Sequence, residues 1–243
     1  ADFVSPYYVR DRHEVTINDM IAYPLTRALY SFDVRQPLGG EMAMGRAAYQ
    51  TFIGRDVWET DVARFGIHIW MITLAINAGW RLYQASLGTK SHDFKDPTVG
   101  FEPKFMQIVG TLFRLMTIYR RVWPEVQGSR RVAVWGEIGY KQPEPVPTTR
   151  QALWDGFAKG MKRYRRNIRT ILGSEQLAAL EGILAGSRPP LEHDDWARMV
   201  MDFSEVKDIA KRRLVDHWDH AFLAYQGDRA VVDFLATLPG HKT

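Results

Sequence analysis

Cysteine is absent from this chain of 243 residues. That excludes disulfides, thiolate zinc sites, iron–sulfur clusters ligated through Cys and any Cys nucleophile. A chain without thiols suits oxidising and reducing compartments alike. Long apolar runs are scarce as well. The most apolar stretch, Phe65 to Trp80, holds sixteen uncharged residues between Arg64 and Arg81, short of the roughly 20 that a bilayer-spanning helix needs. Internal repeats and low-complexity tracts are missing, which sets aside solenoids and disordered polar arrays. Catalytic signatures are missing too. There is no G-x-S-x-G turn, no His-Glu-x-x-His, and no Glu-x-x-His pair of the kind that builds a di-iron bundle. A start at Ala1 with no charged-then-apolar leader is also what a chain relieved of a targeting segment shows.

What the chain has is a globular balance, with 46% apolar and 25% charged residues, which argues against wholesale disorder. Aromatics are plentiful, and rings of this kind serve interfaces and cores equally well. Net charge is +4, but it is unevenly spread. Residues 111–170 carry 13 Lys/Arg against 4 Asp/Glu, while the segments on either side are mildly acidic. A central basic block of this kind draws phospholipid headgroups, nucleic acid or acidic protein surfaces.

The pattern along the chain predicts an all-α protein of six or seven helices. Residues 1–17 read as an extended arm. Asn18 caps a helix running to about Phe32, and a weaker one follows from Glu41 to Phe52. Phe65–Trp80 reads as a helix capped by Thr60 or Asp61 and ended by Gly88. It is either buried on all sides or set in a membrane with Arg64 and Arg81 snorkelling and Trp70 and Trp80 among its rings. Pro103 opens a helix to Val122. Residues 124–148, with Pro143, Pro145 and Pro147, read as a stiff connector. Beyond it, Thr148 with Gln151 forms a capping box for a helix bearing Trp154, Phe157, Met161, Tyr164, Ile168 and Ile171 at three-and-four spacing. A short helix over Glu175–Ala185 and a long one from Asp194 or Asp195 to about Tyr225 complete the chain. The division is therefore 1–123, 124–148 and 149–243.

Candidate chemistry is thin. Gly40 to Gly45 has the spacing of a phosphate loop, but Arg46 and Ala47 replace its Lys and Ser/Thr, and no strand precedes it. On a helix His217 and His220 lie one turn apart, Asp216 also neighbours His220, and the three resemble part of a metal site, with His193 a further donor. His217 also falls on the apolar stripe of its own helix, in step with Ala210 and Phe203, and a core histidine is the simpler account. The carboxylates Asp194, Asp195, Asp202, Glu205 and Asp208 have the spacing of a solvated face. No cofactor or metal is expected.

The strongest constellation is a basic amphipathic helix. Lys159, Lys162, Arg163, Arg165, Arg166 and Arg169 crowd into eleven residues opposite the apolar stripe. Such a face binds anionic phospholipid, a partner protein or, with less support, nucleic acid. The combined reading is a non-catalytic, structural subunit of a multi-protein, membrane-associated complex, with other subunits as partners. Its setting is an energy-transducing membrane such as the mitochondrial inner membrane, in a respiratory-chain or ATP synthase assembly. The rivals are a soluble α-helical enzyme with a dispersed site and a nucleic-acid-binding module.

Overall fold

Gly79 decides the architecture. It sits at φ +70° directly after the apolar helix and turns the chain out of it, a conformation glycine adopts without steric penalty. The residues beyond it, Leu82-Tyr-Gln-Ala-Ser-Leu-Gly-Thr89, then run as a strand rather than continuing the helix. The computed structural model describes residues 1–11, 16–90, 101–137, 143, 150–188 and 191–203. They contain seven α-helices, a four-stranded mixed sheet and a two-stranded sheet, so the fold is α/β and not all-α.

In chain order the elements are β1 (Phe3–Val9), α1 (Tyr23–Tyr30), β2 (Phe32–Asp33), β3 (Ala43–Met44), α2 (Arg46–Ile53), α3 (Ile67–Asn77), β4 (Leu82–Thr89), α4 (Phe101–Ile118), β5 (Arg130–Arg131), β6 (Val134–Trp135), α5 (Arg150–Ile171), α6 (Ser174–Leu184) and α7 (His193–Phe203). A π-helical turn, Asn18–Ala22, leads into α1. The chain divides into two compact units, Ala1–Val146 and Pro147–Thr243.

In the first unit the larger sheet has the order β3-β1-β4-β6, with β1, β4 and β6 parallel and β3 antiparallel to β1. The expected arm is thus a central strand. Pro6 demotes this segment as a strand on sequence grounds. In the fold it lies beyond Phe3 and Val4, the only β1 residues paired by β3, and its ring packs on Gly39. A side chain at Gly39 would stand 2.2 Å from the Pro6 Cγ, which is why the loop after Gln36 ends in glycine.

The register places Phe3 beside Leu82 and Ser5 beside Gln84 on a buried face. Phe3 meets Phe52 of α2 edge-on at 5.9 Å, and Phe52 packs on Trp70 and Trp80 at 5.1 and 5.4 Å. Gln84 ties the two sheets together. Its Nε2 donates to the carbonyls of Asp33 and Val132, and its Oε1 accepts from the Arg35 amide at 2.7 Å. Buried polar groups are tolerated when satisfied in this way.

The apolar stretch forms α3, whose Ile69, Trp70, Ile72, Thr73, Leu74, Ala75 and Ile76 are all buried. Among the described residues no helix is long and apolar enough to cross a membrane. Phe65 and Arg64 precede this helix and are exposed, and Trp80, half-buried, follows it. Arg81 holds Asp2 in a two-pronged ion pair, with contacts of 2.9 and 3.1 Å. Strands β5 and β6 fall inside the expected connector and belong to the sheets of the first unit.

The second unit is helical. Met161 of α5, Leu172, Leu180 of α6 and Met199 of α7 form its core, with Phe157, Ile168 and Leu191 packed against them. Thr148, the expected cap of α5, lies outside the described residues, as do Glu205, Asp208 and the Asp216, His217 and His220 group.

Candidate functional site

Helix α5 carries all six basic residues singled out above, and all six are exposed. The helical repeat places Phe157, Met161 and Ile168 on one side, where they enter the core of the second unit. Lys159 stands three and four residues before Lys162 and Arg163, and Arg166 four and three residues after them, so the four share the opposite side. Arg165 and Arg169 stand on the flank between them. Both donate to one carboxylate oxygen of Glu181 on α6, at 3.0 and 3.4 Å. The six cations therefore divide into a flanking pair engaged by Glu181 and an outward row of four.

Within the row, the Arg163 guanidinium lies over the ring of Tyr164, 5.0 Å from its centre. Lys159, Lys162 and Arg166 make no ion pair among the described residues. The pairing lowers the pKa of Glu181, chiefly through the Arg165 hydrogen bond and then through Arg169. The apolar stripe is mostly consumed by the unit's own core. Of its members only Tyr164 and Ile171 reach the surface appreciably.

A second constellation, with no signal in the sequence, lies where the parallel strands β1 and β4 end. Tyr8 donates its hydroxyl hydrogen to Glu41, and Lys90 donates to both oxygens of the same carboxylate, at 2.7 Å for Oε2. The Lys90 ammonium also lies over the Tyr8 ring, 4.8 Å from its centre. These bonds hold the Glu41 pKa down, Lys90 acting first and Tyr8 second. Burial, and then the bond to Glu41, pushes the Tyr8 phenol well above its ordinary range. His68, in the first turn of α3, is pushed down by burial against the pull of Glu41.

The carboxyl edge of parallel strands is where open α/β sheets bind ligands. Here, though, Glu41 already accepts from both neighbours, and the cluster closes on itself. It acts as a clasp holding the 36–42 loop onto the end of the sheet. Residues 41 and 90 are 49 apart in sequence; the β1–β4 pairing brings Lys90 to the end of β1, where its amide donates to the Val9 carbonyl at 3.0 Å, and Glu41 arrives on the loop that leads into β3.

The segment from Gly40 to Gly45 forms no phosphate loop. Ala43–Met44 is β3, and Gly45 is the extended residue before α2. Among the described residues no group of three or more His, Asp or Glu side chains is placed to hold a metal ion. Trp135 of β6 stacks on Tyr83 of β4 at 4.4 Å and is 49% exposed. Arg131, Ala133 and Trp135 are exposed, with Val132 buried and Val134 half-buried between them.

The chain matches no protein-family model, and no curated protein sequence is significantly similar to it.

Proposed function

We propose that this chain is a non-catalytic subunit of a multi-protein complex that rests on an anionic membrane and attaches peripherally through the outward row of α5. The observation that carries this reading is the position of Lys159, Lys162, Arg163 and Arg166, opposite the core of their own unit. A core-packing helix needs no cations on its outer face. Four of them in two turns set up a field that favours phosphate-bearing surfaces, at about 1 kcal/mol per basic residue near the bilayer.

Because Phe157, Met161 and Ile168 are engaged inside the unit, attachment rests on charge rather than on insertion. It therefore fades as salt rises, with exposed charges screened over about 10 Å at 0.1 M. A membrane rich in a doubly charged phospholipid, such as the mitochondrial inner membrane, fits this chemistry. The exposed Tyr49, Ile53, Trp58 and Phe65 of the first unit supply the apolar surface that neighbouring subunits would cover.

The test is flotation with phosphatidylcholine vesicles, with and without cardiolipin. The wild type prefers the anionic vesicles. Replacing Lys162, Arg163 and Arg166 with Gln lowers affinity about 100-fold at low salt and leaves helicity unchanged. Equal partition of the wild type onto neutral and anionic vesicles refutes the reading.

A second reading draws on the Tyr83–Trp135 stack with its exposed Trp135, and on the exposed Arg130 and Arg131 a few residues earlier in the chain, features that suit the bases and phosphates of single-stranded nucleic acid. Tight, salt-dependent binding to an oligonucleotide, lost on Trp135→Ala, would favour it over the membrane.

A further inference from the structure

The flanking pair on α5 holds a carboxylate of the neighbouring helix. Arg165 and Arg169 are one turn apart, and their guanidiniums converge on a single oxygen, Oε1 of Glu181, from 3.0 and 3.4 Å. Arginines recognise carboxylate and phosphate by the same charge-assisted N–H···O bonds, so two guanidiniums that converge on one anionic group can hold either. Glu181 supplies one negative charge to two positive ones and leaves the pair under-neutralised. All three side chains are substantially exposed, at 57%, 51% and 37%, and bridges of that kind are weak and readily exchanged.

We propose that Arg165 and Arg169 form a phosphate-binding fork for a phospholipid headgroup, and that Glu181 is its internal occupant. The proposal rests on the reading of α5 as a membrane-facing helix, and it assigns that face its regulation. At a neutral surface the carboxylate keeps the fork closed. At a phosphate-dense surface the headgroup displaces it, and the engaged charge grows from the row of four to all six. Glu181 thereby sets a threshold of surface charge below which only the outward row engages.

The experiment compares wild type, Glu181→Gln and Glu175→Gln on phosphatidylcholine vesicles with and without cardiolipin, at 0.1 M salt. Glu175 stands exposed in the first turn of the same helix, and its replacement changes net charge by the same amount. Glu181→Gln binds anionic vesicles about fivefold more tightly, the gain of roughly one further basic residue, and neutral vesicles no better. Glu175→Gln stays within twofold of wild type. The gain vanishes when Arg165→Gln and Arg169→Gln are added to Glu181→Gln. Equal affinity of Glu181→Gln and wild type overturns the proposal, as does a matching gain in Glu175→Gln.

A second measurement separates the fork from the membrane reading. Inorganic phosphate is titrated while the Nε–H resonances of Arg165 and Arg169 are followed by nuclear magnetic resonance. Both resonances shift at lower phosphate in Glu181→Gln than in wild type if the fork exists. That shift with no vesicle binding in any variant sinks the membrane reading and keeps the fork as a phosphate site. Vesicle binding without that shift sinks the fork and keeps the membrane reading. A fivefold gain on single-stranded RNA but not on vesicles overturns the choice of phospholipid.

Discussion

Replacing Ile72 with Ala tests whether the apolar stretch is the core of the first unit. Ile72 lies in α3 with none of its surface exposed, between the buried Ile69 and Ile76. The substitution removes three carbon atoms, each worth about 0.8 kcal/mol when buried. The cavity left behind adds to that loss, for a total of about 3 kcal/mol. A lipid-facing α3 would give a different number, because hydrocarbon would fill the space and the cost in water-exposed terms would disappear. Ile53, on α2 and 52% exposed, is the matched control, and its replacement by Ala costs under about 1 kcal/mol. The assay is hydrogen exchange in buffer, read on a peptide covering residues 67–77, so that unfolding of the second unit does not enter. A loss of 3 kcal/mol speeds exchange there by about two orders of magnitude, since 1.4 kcal/mol is tenfold. Equal rates in Ile72→Ala and Ile53→Ala would refute the burial of α3.

Two further outcomes are expected. Gly39→Ala destabilises the first unit by about 1–3 kcal/mol, measured by urea denaturation, because its Cβ would meet the Pro6 ring at 2.2 Å; a loss below 0.5 kcal/mol would show that the loop yields freely. Stability also falls on acidification, with the sign set by three groups. The Asp2 carboxyl is held down to about 2 by Arg81, first through its side chain and then its backbone, and that of Glu41 is lowered by Lys90. Both depressed carboxyls contribute stability that is present above their unfolded values of 3.8 and 4.5 and is lost as pH falls through the folded ones. His68 is kept neutral by burial, so its contribution is complete above 6.5 and declines below it. The urea midpoint therefore drops between pH 7 and pH 3, and Glu41→Gln flattens that drop; a midpoint that rises on acidification contradicts the assignment.

The helices were legible because their signals are local. The three-and-four spacing from Trp154 to Ile171 yields α5 within a few residues, and Pro103 lies in the first turn of α4. The sheet was not legible, because none of its signals is local. Phe3–Val9 contains Pro6 and read as an arm; its identity as a strand depends on Leu82–Thr89, 79 residues away along the first pair, Phe3 and Leu82. The β4 segment follows the most apolar helix of the chain so closely that sequence alone extends the helix signal to Gly88, whereas the chain turns at Gly79. A parallel pair cannot be joined by a short hairpin, so the turn chemistry that betrays antiparallel strands had no place to appear.

The charge on α5 shows the same limit in a different form. Sequence places six cations within eleven residues of one helix and an apolar stripe opposite, and that much is in the structure. It cannot tell which cations already hold an anion, because Glu181 is 16 residues from Arg165 and 12 from Arg169, across a helix turn that only the packing of α6 on α5 defines. Nor can periodicity tell whether an apolar stripe meets lipid or its own core, since the pattern is identical for both. The core of Met161, Leu172, Leu180 and Met199 decides the second question, and it changes the physics of docking. On the proposed reading, a helix with its stripe spent inward would bind by long-range, salt-sensitive attraction. Its affinity would then follow how many cations face outward, which would make one carboxylate on a neighbouring helix the natural point of control.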